Sequence, residues 1–302
     1  MIKHWMTFAA LLGVGATIGG CAVDAQPADE GDLSAASRSY VTLRRDDRKC
    51  ASPLCGGYFV HDVNRATAEA YVSGIDLAPA NLSPELEDSI LAASAEELVL
   101  RGKLGPVEST HKTRAFLVSE VYRGMPGMAP AEADVFFSTK TRSPPIECIT
   151  APCNNEIATQ LNSTKTTTFT SYNVADALPG GGDTAWLTDR QQAHGAITAG
   201  AIVKGTKKPG GYEQVMKATQ VYVRLPDVLG PCPKVAQPTC AAGKVPTFTR
   251  SLNRCLVFDT CVKSGICPQF LLACPDGYTQ VTWAQSSSAC KAMACDPSFL
   301  SE

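Results

Sequence analysis

The chain has 302 residues with 27 basic and 29 acidic side chains, a formal net charge of −2, so it carries no one-signed field that would steer nucleic acid or anionic lipid toward it. Nucleic acid is not an expected partner. Its 13 cysteines are many for a reducing compartment and point to an oxidising one.

Residues 1–20 divide into a short basic start (Met1, Ile2, Lys3, His4), an apolar run from Trp5 to Ile18, and the small pair Gly19-Gly20. This is the build of a signal peptide. At ~1.5 Å rise per residue the run falls short of a roughly 30 Å hydrocarbon core, and no later stretch reaches the ~20 apolar residues of a membrane span. Ile18-Gly19-Gly20-Cys21 resembles the lipobox of bacterial lipoproteins. That resemblance implies cleavage before Cys21, a lipid on its amino-terminal cysteine, and membrane attachment through that lipid. The alternative is an ordinary signal peptide cut elsewhere, with Cys21 left as a stray thiol. Residues 22–38 are small and acidic without hydrophobic periodicity, so they cannot bury enough surface to fold and read as a tether. In lipoproteins an Asp after the lipidated cysteine goes with inner-membrane retention. Ala22 stands there, which favours the outer membrane, facing periplasm or exterior.

From residue 39 the chain repeats itself. Cys50-Ala-Ser-Pro-Leu-Cys55 recurs as Cys148-Ile-Thr-Ala-Pro-Cys153, each followed nine residues later by an asparagine, Asn64 and Asn162. At the same offset of 98, Tyr71 meets Phe169, Ser73 meets Ser171 and Gly102 meets Gly200; two residues of drift later, Val121-Tyr122 and Pro126 meet Val221-Tyr222 and Pro226. The expected architecture is therefore mostly β (α+β): two tandem β-rich domains of about 95 residues, copy 1 over 39–130 and copy 2 over 131–227.

Within each copy, two strands flanking the C-x4-C turn (YVTLRR and GYFVHDV; VFFSTKT and NEIATQL) predict a hairpin with a clamped end. A third strand follows (AEAYVSG; TTTFTSY). A short helix comes next, clearer in copy 1, where Ser83 caps, Pro84 opens the first turn, and Leu86, Ile90 and Leu91 share a face. Two closing strands (LVLRGKL and RAFLVSEVY; GAITAGAIV and EQVMKATQVYV) complete the copy. The strand count and the V-x-x-VY-x-x-x-P ending resemble small barrels of the netrin or OB type.

The tail, residues 228–302, is a second and shorter duplication. Cys232, Cys240, Cys255 and Cys261 are echoed by Cys267, Cys274, Cys290 and Cys295 at a period of about 35 residues. Copies this small cannot build a sufficient core, so cross-links must substitute for burial. Setting Cys21 aside leaves twelve cysteines, an even number that predicts six bridges. Four cysteines allow three connectivities. Pairing inside each tail copy is the economical choice, with Cys50 joined to Cys55 and Cys148 to Cys153.

Catalytic chemistry finds no motif. G-x-S-x-G, H-E-x-x-H and phosphate-binding glycine loops are absent from the sequence, and no catalytic residue, cofactor or metal ligand set is expected. The tail spacings are longer than the C-x2-C type that zinc uses. His61 sits on a strand where copy 2 has Thr159, which makes it a structural position, and His111 and His194 lie in polar stretches without a partnered nucleophile. The run Arg44-Arg45-Asp46-Asp47-Arg48-Lys49 reads as a solvated loop with partner binding as its functional alternative. The segments 179–183 and 207–211 read as turns.

The segments KCASPLCGGYFVHDVN and ECITAPCNNEIATQLN resemble a domain of unknown function found in myxobacterial-type envelope lipoproteins, and the tail resembles the short cysteine-rich repeats appended to such proteins. Cys274-Pro-Asp-Gly-Tyr278 is also similar to antistasin-like and trypsin-inhibitor-like modules, although those use more than four cysteines per copy. The expected function is a non-enzymatic cell-envelope lipoprotein with a binding or structural role, whose partner is an envelope or extracellular protein. The alternative is a protease inhibitor acting through Ala51 to Leu54, Ile149 to Pro152, or a tail loop containing Arg250 or Arg254. An enzyme with an unrecognised site would show a polar trio confined to one copy and facing a cleft.

Overall fold

The computed structural model describes residues 38–178, 180–230, 232–233, 238–267, 273–285 and 289–300. The signal segment, Cys21 and the tether lie outside the described residues. Copy 1 contributes β1 (Ser39–Arg45), β2 (Tyr58–Asp62), β3 (Ala70–Val72), β4 (Gly74–Asp76), α1 (Pro84–Ala92), β5 (Leu98–Leu104) and β6 (Ala115–Gly124). Copy 2 repeats the order with β7 (Val135–Thr141), β8 (Glu156–Gln160), β9 (Thr166–Phe169), β10 (Ser171–Asn173), α2 (Thr184–Gln192), β11 (Ala193–Lys208) and β12 (Gly211–Leu225). The third predicted strand of each copy divides into β3 and β4 and into β9 and β10, and the short β4 and β10 pair in parallel with β6 and β12.

Both copies lie in one 12-stranded sheet with the order β3-β2-β1-β5-β6-β12-β11-β7-β8-β9. Read from either end, the order names equivalent strands, so the two halves are related as in a two-fold dimer. The seam is the antiparallel pair β6 and β12, with Tyr222 opposite Gly124 and Leu225 opposite Val121. The described residues cluster as one compact unit, so the expected separation into two domains is not seen. The reason is physical: each copy ends on a strand whose outer backbone groups need partners, and the other copy's last strand supplies them.

The repeated asparagines close this arrangement crosswise. Asn64, at the end of β2, accepts from the Phe136 amide (2.9 Å) and donates to the carbonyls of Phe136 (2.8 Å) and Leu161 (3.1 Å). Asn162 does the same for copy 1, accepting from the Tyr40 amide (2.8 Å) and donating to Tyr40 (2.7 Å) and Val63 (3.1 Å) carbonyls. Both sit in the left-handed region, at φ 60° and 55°, which asparagine tolerates better than most residues while its amide offers donor and acceptor together. Tyr40, Val63, Val99, Tyr122 and their counterparts Phe136, Leu161, Ile197, Tyr222 pack into a shared central core.

The matched glycines have an equally local cause. Gly102 and Gly200 stand at register shifts in β5 and β11, where a Cβ would come within 2.2 Å of the Leu117 carbonyl oxygen and 2.1 Å of that of Lys217. Only glycine admits the facing backbone so closely.

The helices share a frame and differ in what they bury. Ser83 caps α1 by accepting from the Leu86 amide, and Asp183 caps α2 by accepting from that of Trp186. Leu86 and Ile90 are buried on the copy 1 core, whereas Leu91 is half exposed, against the expectation that it shares their face. A helix turns ~100° per residue, which carries the position after Ile90 off the buried stripe. In α2 the corresponding inward residues are Trp186 and Arg190, both fully buried.

The tail forms two antiparallel hairpins, β13 (Lys244–Arg250) with β14 (Leu256–Lys263) and β15 (Tyr278–Ala284) with β16 (Lys291–Pro297). Each is cross-linked first cysteine to third and second to fourth: Cys232 to Cys255, Cys240 to Cys261, Cys267 to Cys290, Cys274 to Cys295. The tail seats on the sheet through the Cys295 amide bonded to the Gly181 carbonyl, the Tyr278 hydroxyl bonded to that of Pro126, and Phe299 and Leu300 packed against the copy 1 core.

Candidate functional site

The features that distinguish this chain cluster at the far ends of the two repeat hairpins. In copy 1 the bridge Cys50–Cys55 closes a loop in which the Leu54 amide bonds to the Ala51 carbonyl and Tyr71 donates its hydroxyl to the Pro53 carbonyl at 2.9 Å. Part of the charged run beside it braces the loop and its flanking strand. Arg48 binds buried Asp46 at 2.8 Å, holding that carboxyl below its usual range, reaches the Leu54 carbonyl, and lies over the rings of Phe59 and Tyr71. Arg44 pairs with Glu69 and stacks on Phe59 at 4.4 Å.

In copy 2 the bridge Cys148–Cys153 closes the equivalent loop, with different supports. Asn155 exchanges two hydrogen bonds with Ile146, its main-chain carbonyl accepts from Arg142, and the Gly210 amide at the β11–β12 tip donates to the Ala151 carbonyl at 2.8 Å. At the apex Ile149 is wholly exposed, and Ile146 is 45 % exposed. The result is an apolar knob on a closed loop tied down on both flanks.

Copy 1 has an open groove of about 620 Å³ where its loop meets the β5–β6 connection, lined by Pro53, Pro106 and Leu117 and by the charged or titratable Asp76, Glu108, His111 and Arg114 among others. Glu108 faces His111 Nδ1 at 3.2 Å and accepts the amides of Thr110 and His111, which draw its carboxyl down to about 2. These contacts are those of a tight turn, with the carboxylate satisfied by backbone amides. His61 lies half-buried on β2, and His194 is the second residue of β11. Among the described residues no group of three or more His, Cys, Asp or Glu is placed to hold a metal ion.

The tail arginines turn inward. Arg250 pairs with Asp296 and with Asp183 at 3.3 Å, and Arg254 lies 3.5 Å from Asp296 and over Trp186. Arg190 completes the network by pairing with Asp189 and with Asp227 at 2.8 Å while donating to the Leu252 carbonyl. A protease-directed arginine must protrude, so neither Arg250 nor Arg254 serves as one. The sequence signal missed here is Arg190, which breaks the apolar stripe of its helix at the position of Ile90.

A family model described as "Domain of unknown function (DUF6748)" matches residues 39–228, the whole of the shared sheet. The chain belongs to the DUF6748 family. The family unit is thus the pair of copies, in keeping with a sheet that neither copy completes alone. The DUF6748 protein is also 26 % identical over 268 residues, 87 % of its own chain and 88 % of the other, to an uncharacterized protein of Dictyostelium discoideum. That span exceeds the sheet and takes in part of the chain beyond it. No solved structure matches the chain.

Proposed function

We propose that this DUF6748 protein is a non-enzymatic lipoprotein of the cell envelope, held at the outer membrane by a lipid on Cys21 and the tether 22–38, and that it binds a protein partner through the Cys148–Cys153 loop. The observation that carries the binding reading is the fully exposed Ile149 on a loop closed by a disulfide and pinned by Asn155 and Gly210. A single exposed apolar side chain is ordinary. One presented on a loop already ordered loses little conformational freedom when it enters a pocket, which is how rigid loops gain affinity. The partner class is an envelope or extracellular protein with an apolar pocket. The same loop also supports a protease inhibitor, because a cross-linked loop resists release after cleavage.

Two experiments test this. Membrane fractionation of the native chain against Cys21→Ser should move the protein from the membrane to the soluble fraction; retention of the variant would refute lipid attachment at Cys21. Oxidised mature chain and its Ile149→Asp variant, compared as baits on envelope extract, should differ by the loss of one captured protein. If both capture the same set, the loop is not the binding surface. Stoichiometric inhibition of a serine, cysteine or metalloprotease, abolished by Ile149→Asp, would assign the inhibitor reading instead.

A further inference from the structure

A second site lies away from that loop, where the tail meets both copies. A cleft of about 160 Å³ opens there. Its wall is apolar, made by Leu86 of α1, Leu225 and Pro226 at the end of β12, and Phe299 and Leu300 of the tail, with Arg254 and Asp227 as its charged members.

The two charges differ in how well they are met. Asp227 is engaged by the Arg190 guanidinium at 2.8 Å, the Leu229 amide at 3.2 Å and the Trp186 indole N–H at 3.4 Å. Arg254 is served poorly. Its side chain is 12 % exposed, its nearest carboxylate is Asp296 at 3.5 Å, it donates to the Leu300 carbonyl at 3.4 Å, and its guanidinium lies 5.1 Å over the Trp186 ring. Asp296 is already paired with Arg250, and the Arg254 Nε meets no hydrogen-bond acceptor among the described residues. Burial, offset in part by Asp296 and Asp227, pulls the guanidinium below its usual pKa. Arg254 also holds a left-handed backbone at φ 63°, a conformation uncommon for a long side chain and one that clusters at functional positions.

We propose that this cleft binds a small organic carboxylate, its carboxyl group on Arg254 and its hydrocarbon against Leu86, Leu225, Pro226 and Phe299. An under-compensated guanidinium asks for an acceptor, and a planar carboxylate matches its fork. The apolar wall asks for a hydrocarbon rather than a bare anion. A cavity of this size accommodates a body about as large as benzene, so the ligand is a branched short-chain or aromatic acid. The site depends on neither the lipid nor the Ile149 loop, and would join the tail to both copies.

The test is calorimetric titration of the oxidised mature chain with benzoate and isovalerate, with benzamide, isovaleramide and inorganic phosphate alongside. Saturable binding of one acid is expected, with its neutral amide at least about tenfold weaker, the loss of roughly one charge-assisted hydrogen bond. Arg254→Met should remove that binding. Because this variant could loosen the tail, Leu300→Trp is measured in parallel; it fills the cleft from the apolar side, leaves Arg254 and Asp296 in place, and should also block binding. Absence of saturable binding, equal affinity for acid and amide, phosphate binding alone, or binding that survives both variants would overturn the proposal.

Discussion

The two copies share a fold and a seam, yet their helices perform different tasks. In copy 1, α1 sets Leu86 and Ile90 into an apolar core; in copy 2, α2 places Trp186 and Arg190 at the same points, and Arg190 pairs with Asp189 and Asp227 and donates to the Leu252 carbonyl of the tail. A similar divergence runs along the strands. Tyr122 donates to Glu120, which also binds Arg101 at 2.7 Å, whereas in copy 2 Gln220 binds the carbonyls of Met125 and Met128 instead. Duplication thus preserved the strand pairing that builds the sheet while side chains at matched positions diverged, and copy 2 uses the buried Arg190 to seat the cysteine-rich tail.

The helix contrast is the easiest to break. Arg190→Ala should cost about 3–5 kcal/mol, the usual loss when one member of a buried ion pair is removed and the others stay, and should free the tail so that its hairpins become accessible to protease. Ile90→Ala should cost about 2–4 kcal/mol by leaving a cavity with the tail still protected. Denaturant unfolding paired with limited proteolysis separates these outcomes; equal tail exposure in the two variants would dissolve the contrast.

The asparagine clasp sharpens the symmetry. Asn162→Ala should destabilise by about 2 kcal/mol, because it strands the Tyr40 peptide and the Val63 carbonyl where solvent reaches them poorly. Asn64 is the more exposed of the two, so Asn64→Ala should cost about 1 kcal/mol, water replacing part of what is lost. Equal values by chemical denaturation would mean that burial does not separate the two ends of the clasp.

The smallest effect concerns the β5–β6 connection, where copy 2 has the short β11–β12 turn instead. Backbone amides of His111 and Thr110 draw Glu108 down to about 2, so the Glu108 turn's contribution is fully present above the ordinary glutamate range and is lost as pH falls through about 2. Side-chain NMR should place the Glu108 midpoint near 2, and Glu108→Gln should speed amide exchange at Thr110 and His111 without altering global stability. A midpoint in the ordinary range would show that the amides do not hold the carboxylate.

Much of the frame was legible in the residues, for reasons that are local. A cysteine pair five positions apart can close a turn, Ser83 before Pro84 starts a helix, and cysteines grouped in fours pair within reach; the structure shows each of these. Asn64, Asn162, Gly102 and Gly200 stood out as repeated without revealing why. Their reasons, a carbonyl 2.1 Å from an absent Cβ or a peptide 122 residues away, exist only once distant segments meet. Leu91 lies off the buried stripe because the step after Ile90 turns ~100°, and spacing alone does not show how wide the receiving surface is. The candidate site divided in the same way: the clamped loops were visible in the cysteines, and the inward turn of Arg250 and Arg254 was not, since an arginine in sequence carries no mark of the aspartate it will find.

By itself, then, the sequence determined that the chain is duplicated twice over, strand-rich and cross-linked within each copy, because those properties follow from spacing and parity. Tertiary structure decided that the copies form one sheet, that their asparagines reach across to each other, and that α2 holds the tail. Strand pairing runs through backbone groups that are the same in every residue, so the choice of neighbour is settled by the packing of the whole chain.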